Sequence, residues 1–377
     1  MTSLYAGLMS GTSLDGVDGV LVDFSPAAAA SRTLRVVAHA HRDFEPALRD
    51  ELLLLNASGA DELHRAALAG NAVARAYADV VAELVGSAGV DARDVRAIGA
   101  HGQTVRHRPG EFDGTGYTLQ LLAPALLAEL CGIDVVADLR SRDVAAGGQG
   151  APLVPPFHRA LFARGGATVA VLNLGGIANL TVLAGDGSTL GFDCGPGNVL
   201  MDLWHARHRG GRFDADGAWA AGGRSVAPLL ATMRREPYFR LPPPKSTGRD
   251  LFHAGWLAAR LAEHGRDEDA RDVQATLCEL TAATVADAVE RHAAGASALL
   301  VCGGGARNAE LMRRLATALP RAVVEPTDAH GLPATQVEAA AFAWLAQAFV
   351  ERRPGNLAGA TGAAGARVLG ALYPALL

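Results

Sequence analysis

Hydrophobic residues along the chain follow two spacings, one typical of strands and one typical of helices. The first 22 residues place two apolar runs around a short turn of glycine, serine, threonine and aspartate, which predicts a β-hairpin. After Asp61, a predicted N-cap, apolar residues recur at helical spacing for about seven turns. Further strands are predicted at 34–39, 95–100, 117–122 and 134–137. Strands that alternate with helices indicate an α/β domain.

The second half of the chain repeats the opening pattern. A strand over Ala167–Leu174 turns at Gly175-Gly176 and returns over Ile177–Leu183, which predicts a second hairpin. Further strands are predicted at 189–192 and 298–302, and helices at 199–208, 251–264, 267–292 and 335–352. The repetition predicts two similar α/β halves that close on a cleft and hold a nucleotide between them. The alternative is that both are ordinary turns, since hairpins routinely use glycine.

Length and composition agree with a two-domain enzyme. A chain of 377 residues exceeds one ordinary core, and half of its residues are hydrophobic while 19% are charged. We assign residues 1–148 to an N-terminal domain, with 353–377 packing back on it, and 149–352 to a C-terminal domain. The Gly- and Ala-rich segment 354–370 is expected to be a flexible loop.

Charge and cysteine content exclude several classes of function. The net charge of −5 gives no indication of nucleic-acid binding, and no apolar run reaches the roughly 20 residues of a membrane span. No signal peptide is evident at the N-terminus. The four cysteines are far apart in sequence and indicate neither a zinc site nor a disulfide framework, so we expect a cytoplasmic protein.

The turn of the first hairpin is the candidate phosphate-binding element. Its small residues leave backbone N–H groups accessible to phosphate oxygens, and Asp15 and Asp18 are candidate Mg²⁺ ligands beside them. No G-x-x-x-x-G-K-[ST] sequence occurs, so this is not a Walker A loop. The candidate ATP-binding residues of the two hairpins are Gly11, Thr12, Ser13, Leu14, Asp15, Gly16, Val17, Asp18, Gly175, Gly176 and Asn179.

Asp193 is the candidate catalytic residue. It ends a predicted strand, where a carboxylate is held in a fixed position, and glycines that follow leave room for a ligand. The alternative is a structural aspartate that caps the helix beginning near Asn198. Gly303, Gly304 and Gly305 follow a buried strand and precede a helix that Asn308 opens, so a flat adenosine group could lie on this turn. Close packing of strand and helix is the alternative there.

Polar residues after other strands are candidates for a sugar pocket, because several hydroxyls and an amide need hydrogen-bond partners. Each one alone is more simply a loop residue, whereas the cluster favours a binding site. Glu338 lies on a nearly all-apolar predicted helix and either faces solvent or points into the site. The candidate substrate-binding residues are His101, Gln103, Thr104, Arg140, Gln149 and Glu338.

Taken together, these motifs resemble the anhydro-N-acetylmuramic acid kinase family. The matching segments extend over residues 7–346 and are GLMSGTSLDGVD, GAHGQTVRHRP, ADLRSRDVAAGGQGAPLVP, LNLGGIANLT, GFDCGPGN, PKSTGRDLF, VCGGGARN and LPATQVEAAAFAWLA. The resemblance implies a two-domain actin-like, ribonuclease H-like ATPase fold. It also implies that ATP and water convert 1,6-anhydro-N-acetylmuramic acid to its 6-phosphate, in the recycling of bacterial cell-wall sugar.

The resemblance assigns residues Gly11 to Asp18 to the ATP phosphates and the catalytic base to Asp193. Two departures stand out. Members of the family carry Thr after the catalytic aspartate where this chain has Cys194, so a hydrogen bond near the base is expected to differ. The wider sugar-kinase superfamily has an Asp before its first glycine turn where this chain has Leu8-Met9, so Mg²⁺ needs other ligands here.

Two other functions remain open at this point. A kinase for another anhydrosugar, such as levoglucosan, would not need a cationic partner for the lactyl carboxylate of muramic acid, for which Arg140 is the candidate. An actin- or chaperone-like ATPase that drives partner binding would need an added peptide-binding domain. The resemblance also implies a homodimer, and the apolar helices of 251–292 are the candidate interface.

Overall fold

The structure is a computed structural model that describes residues 3–11, 13–25 and 34–375. In chain order the strands are β1 (Leu4–Met9), β2 (Gly16–Asp23), β3 (Arg35–Asp43), β4 (Val95–Ala100), β5 (Gln103–Pro109), β6 (Gly116–Leu121), β7 (Val135–Ala137), β8 (Val169–Leu174), β9 (Ile177–Leu183), β10 (Thr189–Pro196), β11 (Ala298–Cys302), β12 (Val323–Pro326) and β13 (Ala371–Tyr373).

The α-helices are α1 (Pro46–Leu54), α2 (Glu62–Ala88), α3 (Pro124–Cys131), α4 (Ser141–Ala145), α5 (Pro155–Phe162), α6 (Val199–Arg209), α7 (Ala218–Ala221), α8 (Ala227–Met233), α9 (Ala254–His264), α10 (Ala270–His292), α11 (Ala309–Ala318), α12 (Val337–Val350) and α13 (Ala358–Thr361). Short 3₁₀ helices cover Ala92–Asp94, Ala215–Gly217, Pro237–Arg240, Gly304–Arg307, Thr327–His330 and Ala334–Gln336. Within the described ranges, no helix is both long enough and apolar enough to cross a membrane.

The chain divides into two compact units. Unit 1 comprises the described residues up to Phe157 and those from Gln336 onward, and unit 2 is His158–Thr335. These boundaries differ from the expected ones at 148/149 and 352/353. The main difference is α12, which we expected in the C-terminal domain and which lies in unit 1.

Unit 1 is built on a six-stranded mixed sheet of order β13-β7-β4-β1-β2-β3. The predicted first hairpin is present, because β1 and β2 pair antiparallel with Gly7 opposite Val20, and β3 continues the antiparallel part. Strands β4 and β7 add in parallel to β1, so the carboxyl ends of β1, β4 and β7 share one edge. Residues that follow these three strands are therefore brought together.

Unit 2 repeats this topology. Its sheet has the order β10-β9-β8-β11-β12, in which β8, β9 and β10 are antiparallel neighbours and β11 and β12 add in parallel to β8. The predicted second hairpin is β8–β9, and it holds the place in this sheet that β1–β2 holds in unit 1. Both units are thus mixed sheets flanked by helices, and the predicted α/β class is confirmed.

Helix α12 belongs to unit 1 because two glycines let its backbone approach the sheet. A Cβ atom on Gly7 would lie 1.9 Å from the carbonyl oxygen of Ala339, and one on Gly99 would lie 2.0 Å from that of Phe342. Gly7 and Gly99 are neighbours across the β1–β4 pair. Glycine inside a strand often marks such a close approach.

Helix α10 runs through the core of unit 2. Most of its residues are buried, and Leu277, Val285 and Val289 belong to the main apolar cluster of that unit. Its exposed charged residues, Arg271, Glu290 and Arg291, lie at the two ends of the helix. The apolar residues of α10 are thus used inside the unit, and the dimer interface on 251–292 stays a prediction.

Candidate active site

The turn after β1 is fixed by buried groups in unit 1. The Ser10 hydroxyl lies 2.8 Å from the Tyr77 hydroxyl and donates to the Gly102 carbonyl at 3.0 Å. Leu14 adopts a left-handed φ of 59°, its side chain is buried, and its N–H donates to the Gly11 carbonyl. A Cβ atom on Gly16 would lie 2.1 Å from the backbone of Arg42, so the turn needs glycine at that position.

The eight candidate residues of this turn differ in which of their atoms are available to a ligand. Val17 is fully buried in the core, so it offers a ligand only its backbone. Thr12 lies outside the described residues, and Ser13 is half-buried. Asp15 accepts the N–H of Phe44 through its backbone carbonyl.

The carboxylate of Asp18, the second candidate Mg²⁺ ligand, contacts two histidines of β3. Asp18 Oδ1 lies 2.9 Å from His41 Nδ1 and 3.8 Å from His39 Nε2. His41 also reaches Asp43 at 3.1 Å, and these two carboxylates raise the pKa of His41, although burial opposes them. In the part of the chain that the structure describes, no group of three or more His, Cys, Asp or Glu side chains is arranged to hold a metal ion.

His101 and Arg140, two predicted sugar-pocket residues, are in direct contact at the shared strand edge of unit 1. Arg140 Nε donates to His101 Nε2 at 3.1 Å, and Arg140 Nη2 lies 2.9 Å from the same nitrogen. Arg140 Nη1 donates to the Gly150 carbonyl at 2.7 Å. Burial, together with the guanidinium, holds the pKa of His101 well below its ordinary value. The imidazole is therefore neutral, and its Nδ1–H donates to the Ser10 carbonyl.

Gln103 joins the same cluster, while Thr104 and Gln149 are held by other partners. Gln103 Nε2 donates to the Gly11 carbonyl at 3.1 Å, and its buried Oε1 has no hydrogen-bond partner among the described residues. The Thr104 hydroxyl accepts from Gln120, and the Gln149 N–H donates to the Thr361 carbonyl. The first hairpin turn is thus tied to the strand that follows His101.

Glu338 lies in the first turn of α12 and is half-buried. It precedes Phe342 by four residues, so the two side chains lie on one face of the helix. The Phe342 ring is 4.8 Å from the His101 ring. Glu338 thus lies on the face of α12 that carries Phe342, and its role in the site stays a prediction.

Asp143, which together with Arg140 follows a predicted strand, holds the loop that Arg140 contacts at Gly150. Its fully buried carboxylate accepts from the Gly150 N–H at 2.8 Å, from Asn356 Nδ2 at 2.7 Å and from the Thr361 hydroxyl at 2.8 Å. The expectation of a flexible loop at 354–370 is therefore wrong, because Asn356 and Thr361 anchor this segment in unit 1.

The carboxylate of Asp193 is held from two sides in unit 2. Asn179, on the neighbouring strand β9, donates from Nδ2 to Oδ1 at 2.7 Å, and the Thr247 N–H donates to Oδ2 at 2.9 Å. The backbone of Asp193 is also tied, since its N–H donates to the Lys245 carbonyl and its carbonyl accepts from the Tyr238 hydroxyl. Asp193 does not cap the helix at Asn198, because a β-bulge and the rest of β10 separate the two.

Cys194 faces the core next to Asp193. Its side chain is buried in the main apolar cluster of unit 2, and burial raises the pKa of its thiol. A neutral, buried thiol behaves as a small apolar group. Cys194 therefore contributes to apolar packing next to Asp193, and the expected difference in a hydrogen bond near the base stays a prediction.

The second glycine turn meets the loop after β10. Gly175 and Gly176 accept, through their carbonyls, the backbone N–H groups of Asn198 and Gly197 at 2.9 Å each. A Cβ atom on Gly197 would lie 2.3 Å from the Gly175 carbonyl, so only glycine allows this contact. The Asn198 side chain donates to the Leu174 carbonyl at the end of β8. The two motifs therefore form one rigid edge of the unit 2 sheet.

The third glycine turn lies beside them. Gly303 has a left-handed φ of 82°, and a Cβ atom there would lie 2.4 Å from Asn173 Oδ1. That buried oxygen has no hydrogen-bond partner within the described ranges. Gly304 and Gly305 begin a 3₁₀ turn, and a Cβ atom on Gly305 would touch Leu174. Asn308 accepts the Leu311 N–H as the N-cap of α11, which is the use that its sequence position predicted.

The predicted residues thus fall into two clusters, one in each unit. Unit 1 holds the first turn, the polar groups around Arg140, and Glu338. Unit 2 holds Asp193 with the second and third glycine turns. The residues we missed are Lys245, Thr247 and Tyr238, whose contacts with Asp193 run mainly through backbone atoms. The segment PKSTGRDLF contains Lys245 and Thr247 and was their sequence signal, whereas Tyr238 lies outside it.

Two units of the same topology, each with a glycine turn between its first two strands, define an α/β protein of the actin-like ATPase fold. The model of the anhydro-N-acetylmuramic acid kinase family matches residues 3–375, and the chain belongs to this family. It is therefore an enzyme, a kinase that uses ATP.

Curated relatives agree over their full lengths. The anhydro-N-acetylmuramic acid kinase of Variovorax paradoxus (strain S110) is 59% identical over 377 residues, covering 99% of each chain. That of Bordetella pertussis (strain Tohama I) is 60% identical over 374 residues, covering 99% of this chain and 96% of the relative. Among solved structures, the activator of the 2-hydroxyisocaproyl-CoA dehydratase from Clostridium difficile with bound ADPNP matches 91% of this chain and 97% of its own, at 14% identity and a TM-score of 0.46.

Proposed function

We propose that this protein opens the 1,6-anhydro ring of 1,6-anhydro-N-acetylmuramic acid with water and phosphorylates O6 with ATP, giving N-acetylmuramic acid 6-phosphate. The observation that carries the proposal is the fixed carboxylate of Asp193, which accepts from Asn179 and from the Thr247 N–H. A carboxylate held by two donors is oriented and favoured in its ionised form, which is the state that a general base needs.

The chemistry uses one water and one phosphoryl group. In the substrate, O6 is bonded to C1, so it carries no proton for a base to remove. Asp193 takes a proton from water while the water oxygen bonds to C1. The C1–O6 bond breaks and leaves its electron pair on O6. O6 then bonds to the γ-phosphorus of ATP, ADP leaves, and the proton on Asp193 passes to solvent.

The glycine turns of each unit, taken separately, are proposed as nucleotide-binding elements. In unit 2, the buried Asn173 Oδ1 lacks a partner among the described residues, and a nucleotide hydroxyl or a bound water would supply the missing donor. In unit 1, Asp15 and Asp18 carry the oxygen ligands that Mg²⁺ prefers. When bound, Mg²⁺ neutralises charge on the phosphates. The turns themselves contribute backbone N–H groups, and their small residues let the phosphates approach the backbone closely.

The sugar is proposed to bind beside His101, Arg140, Gln103 and Glu338. The guanidinium of Arg140 provides a positive charge suited to the lactyl carboxylate, which levoglucosan lacks. The unpartnered Gln103 Oε1 suits a donor such as a sugar hydroxyl or the N-acetyl N–H. The guanidinium therefore favours the muramic sugar, whereas a hydroxyl of either sugar could satisfy Gln103.

The wider context follows from this activity. The product chemistry suits the recycling of peptidoglycan sugar, and we place the enzyme in the cytoplasm as a homodimer. The four cysteines are free thiols, as expected in a reducing compartment.

An isotope experiment tests the ring-opening step. Wild-type protein is incubated with ATP, Mg²⁺ and the anhydromuramic sugar in H₂¹⁸O, and the products are read by mass spectrometry before the anomeric oxygen exchanges. We expect one ¹⁸O on the sugar of the sugar phosphate and none in its phosphoryl group. Label in free phosphate, without sugar phosphate, would contradict the proposal and favour a partner-driven ATPase.

A further inference from the structure

We propose that Asn179 and Lys245 are positioning residues for Asp193. Asn179 acts by donating directly to the carboxylate, and Lys245 acts by fixing the segment that makes the second donation. The inference rests on the proposed function, since it concerns the base of that reaction.

Asn179 reaches the carboxylate from the adjacent strand. It pairs with Asp193 in the β9–β10 register, and its Nδ2 lies 2.7 Å from Oδ1. Directly opposed residues of antiparallel strands keep their side chains on the same face. The strand pair therefore sets the direction from which Asn179 donates, and the carboxylate cannot rotate without losing this bond.

The second donor comes from an irregular segment that needs an anchor. Residues 242–244 are three prolines, which have no N–H and cannot hold the segment by backbone donation. The lysine that follows supplies donors instead. Lys245 Nζ donates to the carbonyls of Tyr238 and Phe239 at 3.1 and 3.5 Å, and it lies 4.7 Å from the centroid of the Tyr238 ring.

Hydrogen bonds link Asp193, Lys245 and Tyr238 to one another. The Asp193 N–H donates to the Lys245 carbonyl at 3.1 Å, and the Tyr238 hydroxyl donates to the Asp193 carbonyl at 2.9 Å. With Lys245 held, the Thr247 N–H is aimed at Oδ2. Lys245 is the single lysine of the chain, which otherwise uses arginine as its cation. A compact ammonium with three donors fits two neighbouring carbonyls, whereas a planar guanidinium fits them less well.

The titratable groups around the carboxylate allow a pH readout. Cys194 and Tyr238 have pKa values raised by burial, and Lys245 has a lowered pKa because burial disfavours its charge. His292, whose ring contacts Phe192, also has a lowered pKa because of burial. Lys245→Met removes a positive charge that also lowers the pKa of His292, so the pH readout rests on Asn179→Ala. A shift of the acid limb of kcat/KM in Asn179→Ala is assigned to the carboxylate, to which Asn179 donates.

The test compares Asn179→Ala and Lys245→Met with wild type in ADP release driven by ATP, Mg²⁺ and the anhydromuramic sugar. We expect kcat to fall roughly tenfold to hundredfold in each variant, with KM for ATP little changed, since a base misplaced by about 1 Å loses activity on this scale. In Asn179→Ala the acid limb should move up by about one pH unit, because a donor to the ionised carboxylate is lost. Lys245→Arg should restore part of kcat.

The control is Arg240→Met, which removes one exposed positive charge from the 3₁₀ helix that contains Tyr238. Its kcat, its KM for ATP and its pH profile should match those of wild type. Unfolding midpoints of all variants separate misplacement from misfolding, and if one variant does not fold, the other still carries the test. A raised KM for ATP with unchanged kcat and pH profile would overturn the proposal and make Asn179 a nucleotide ligand. Absence of wild-type turnover would instead contradict the proposed function.

Discussion

The contact between α12 and the sheet of unit 1 can be tested with one methyl group. In Gly99→Ala the new Cβ atom would start 2.0 Å from the Phe342 carbonyl oxygen, whereas real Cβ contacts stay beyond 3.0 Å. The helix must therefore retreat by about 1 Å or the strand must bend. Because the Phe342 ring lies against His101, the displacement reaches the sugar-pocket residues.

The expected loss follows from overpacking. Inserting a methyl group into a close backbone contact costs about 1–3 kcal/mol, and we expect the upper part of this range because the obstacle is backbone. The unfolding midpoint should fall by roughly 4–10 °C. The same displacement should lower kcat/KM for the sugar about tenfold to hundredfold. Differential scanning calorimetry and the ADP-release assay measure the two effects.

Gly86→Ala is the matched control. Gly86 lies inside α2, is exposed, and has no atom within 4 Å of its would-be Cβ. Alanine there should stabilise the protein by about 0.5–1 kcal/mol and leave activity unchanged. Wild-type stability and activity in Gly99→Ala would refute the close packing of α12.

Three further predictions concern buried groups. Asp143→Ala removes the acceptor of three buried donors and should destabilise the protein by about 3 kcal/mol or more, seen as a lower urea midpoint; an unchanged midpoint would contradict the network. Arg140→Met should raise the pKa of His101 in an NMR titration, yet leave it below its ordinary value because burial remains; a constant pKa would show that the guanidinium does not act on it. Cys194 should resist Ellman's reagent at pH 8 until guanidinium chloride unfolds the protein, since burial raises its thiol pKa, and rapid native labelling would refute this.

The strands found most accurately from the sequence are largely buried ones. Val95–Ala100, Ile177–Leu183 and Ala298–Cys302 have the predicted bounds, because short apolar runs between polar or glycine residues have few alternatives. β5 was missed, because its arginines and histidine break the apolar pattern. The assignment of α12 to unit 1 could not follow from periodicity, which shows that a helix is buried without showing which sheet buries it.

The site likewise contains residues that the sequence identified and residues that it did not. His101 was found because it follows a buried strand. Asp193 was found because it ends the predicted strand, although β10 continues past it to Pro196. Lys245 and Thr247 were not assigned roles, because their contacts use backbone atoms brought in by an irregular segment. Asn356 was placed in a flexible loop by local composition, whereas a hydrogen bond to Asp143, 213 residues away in sequence, anchors it.

The central claim is that Asp193 is the base of an anhydromuramic acid kinase. The most direct measurement is ADP release with ATP and Mg²⁺ in the presence of 1,6-anhydro-N-acetylmuramic acid, levoglucosan or N-acetylmuramic acid, for wild type and Asp193→Asn. Turnover should occur with the anhydromuramic sugar alone and fall roughly 10²–10⁴-fold in the variant. Equal turnover with levoglucosan, or full activity in Asp193→Asn, would contradict the account.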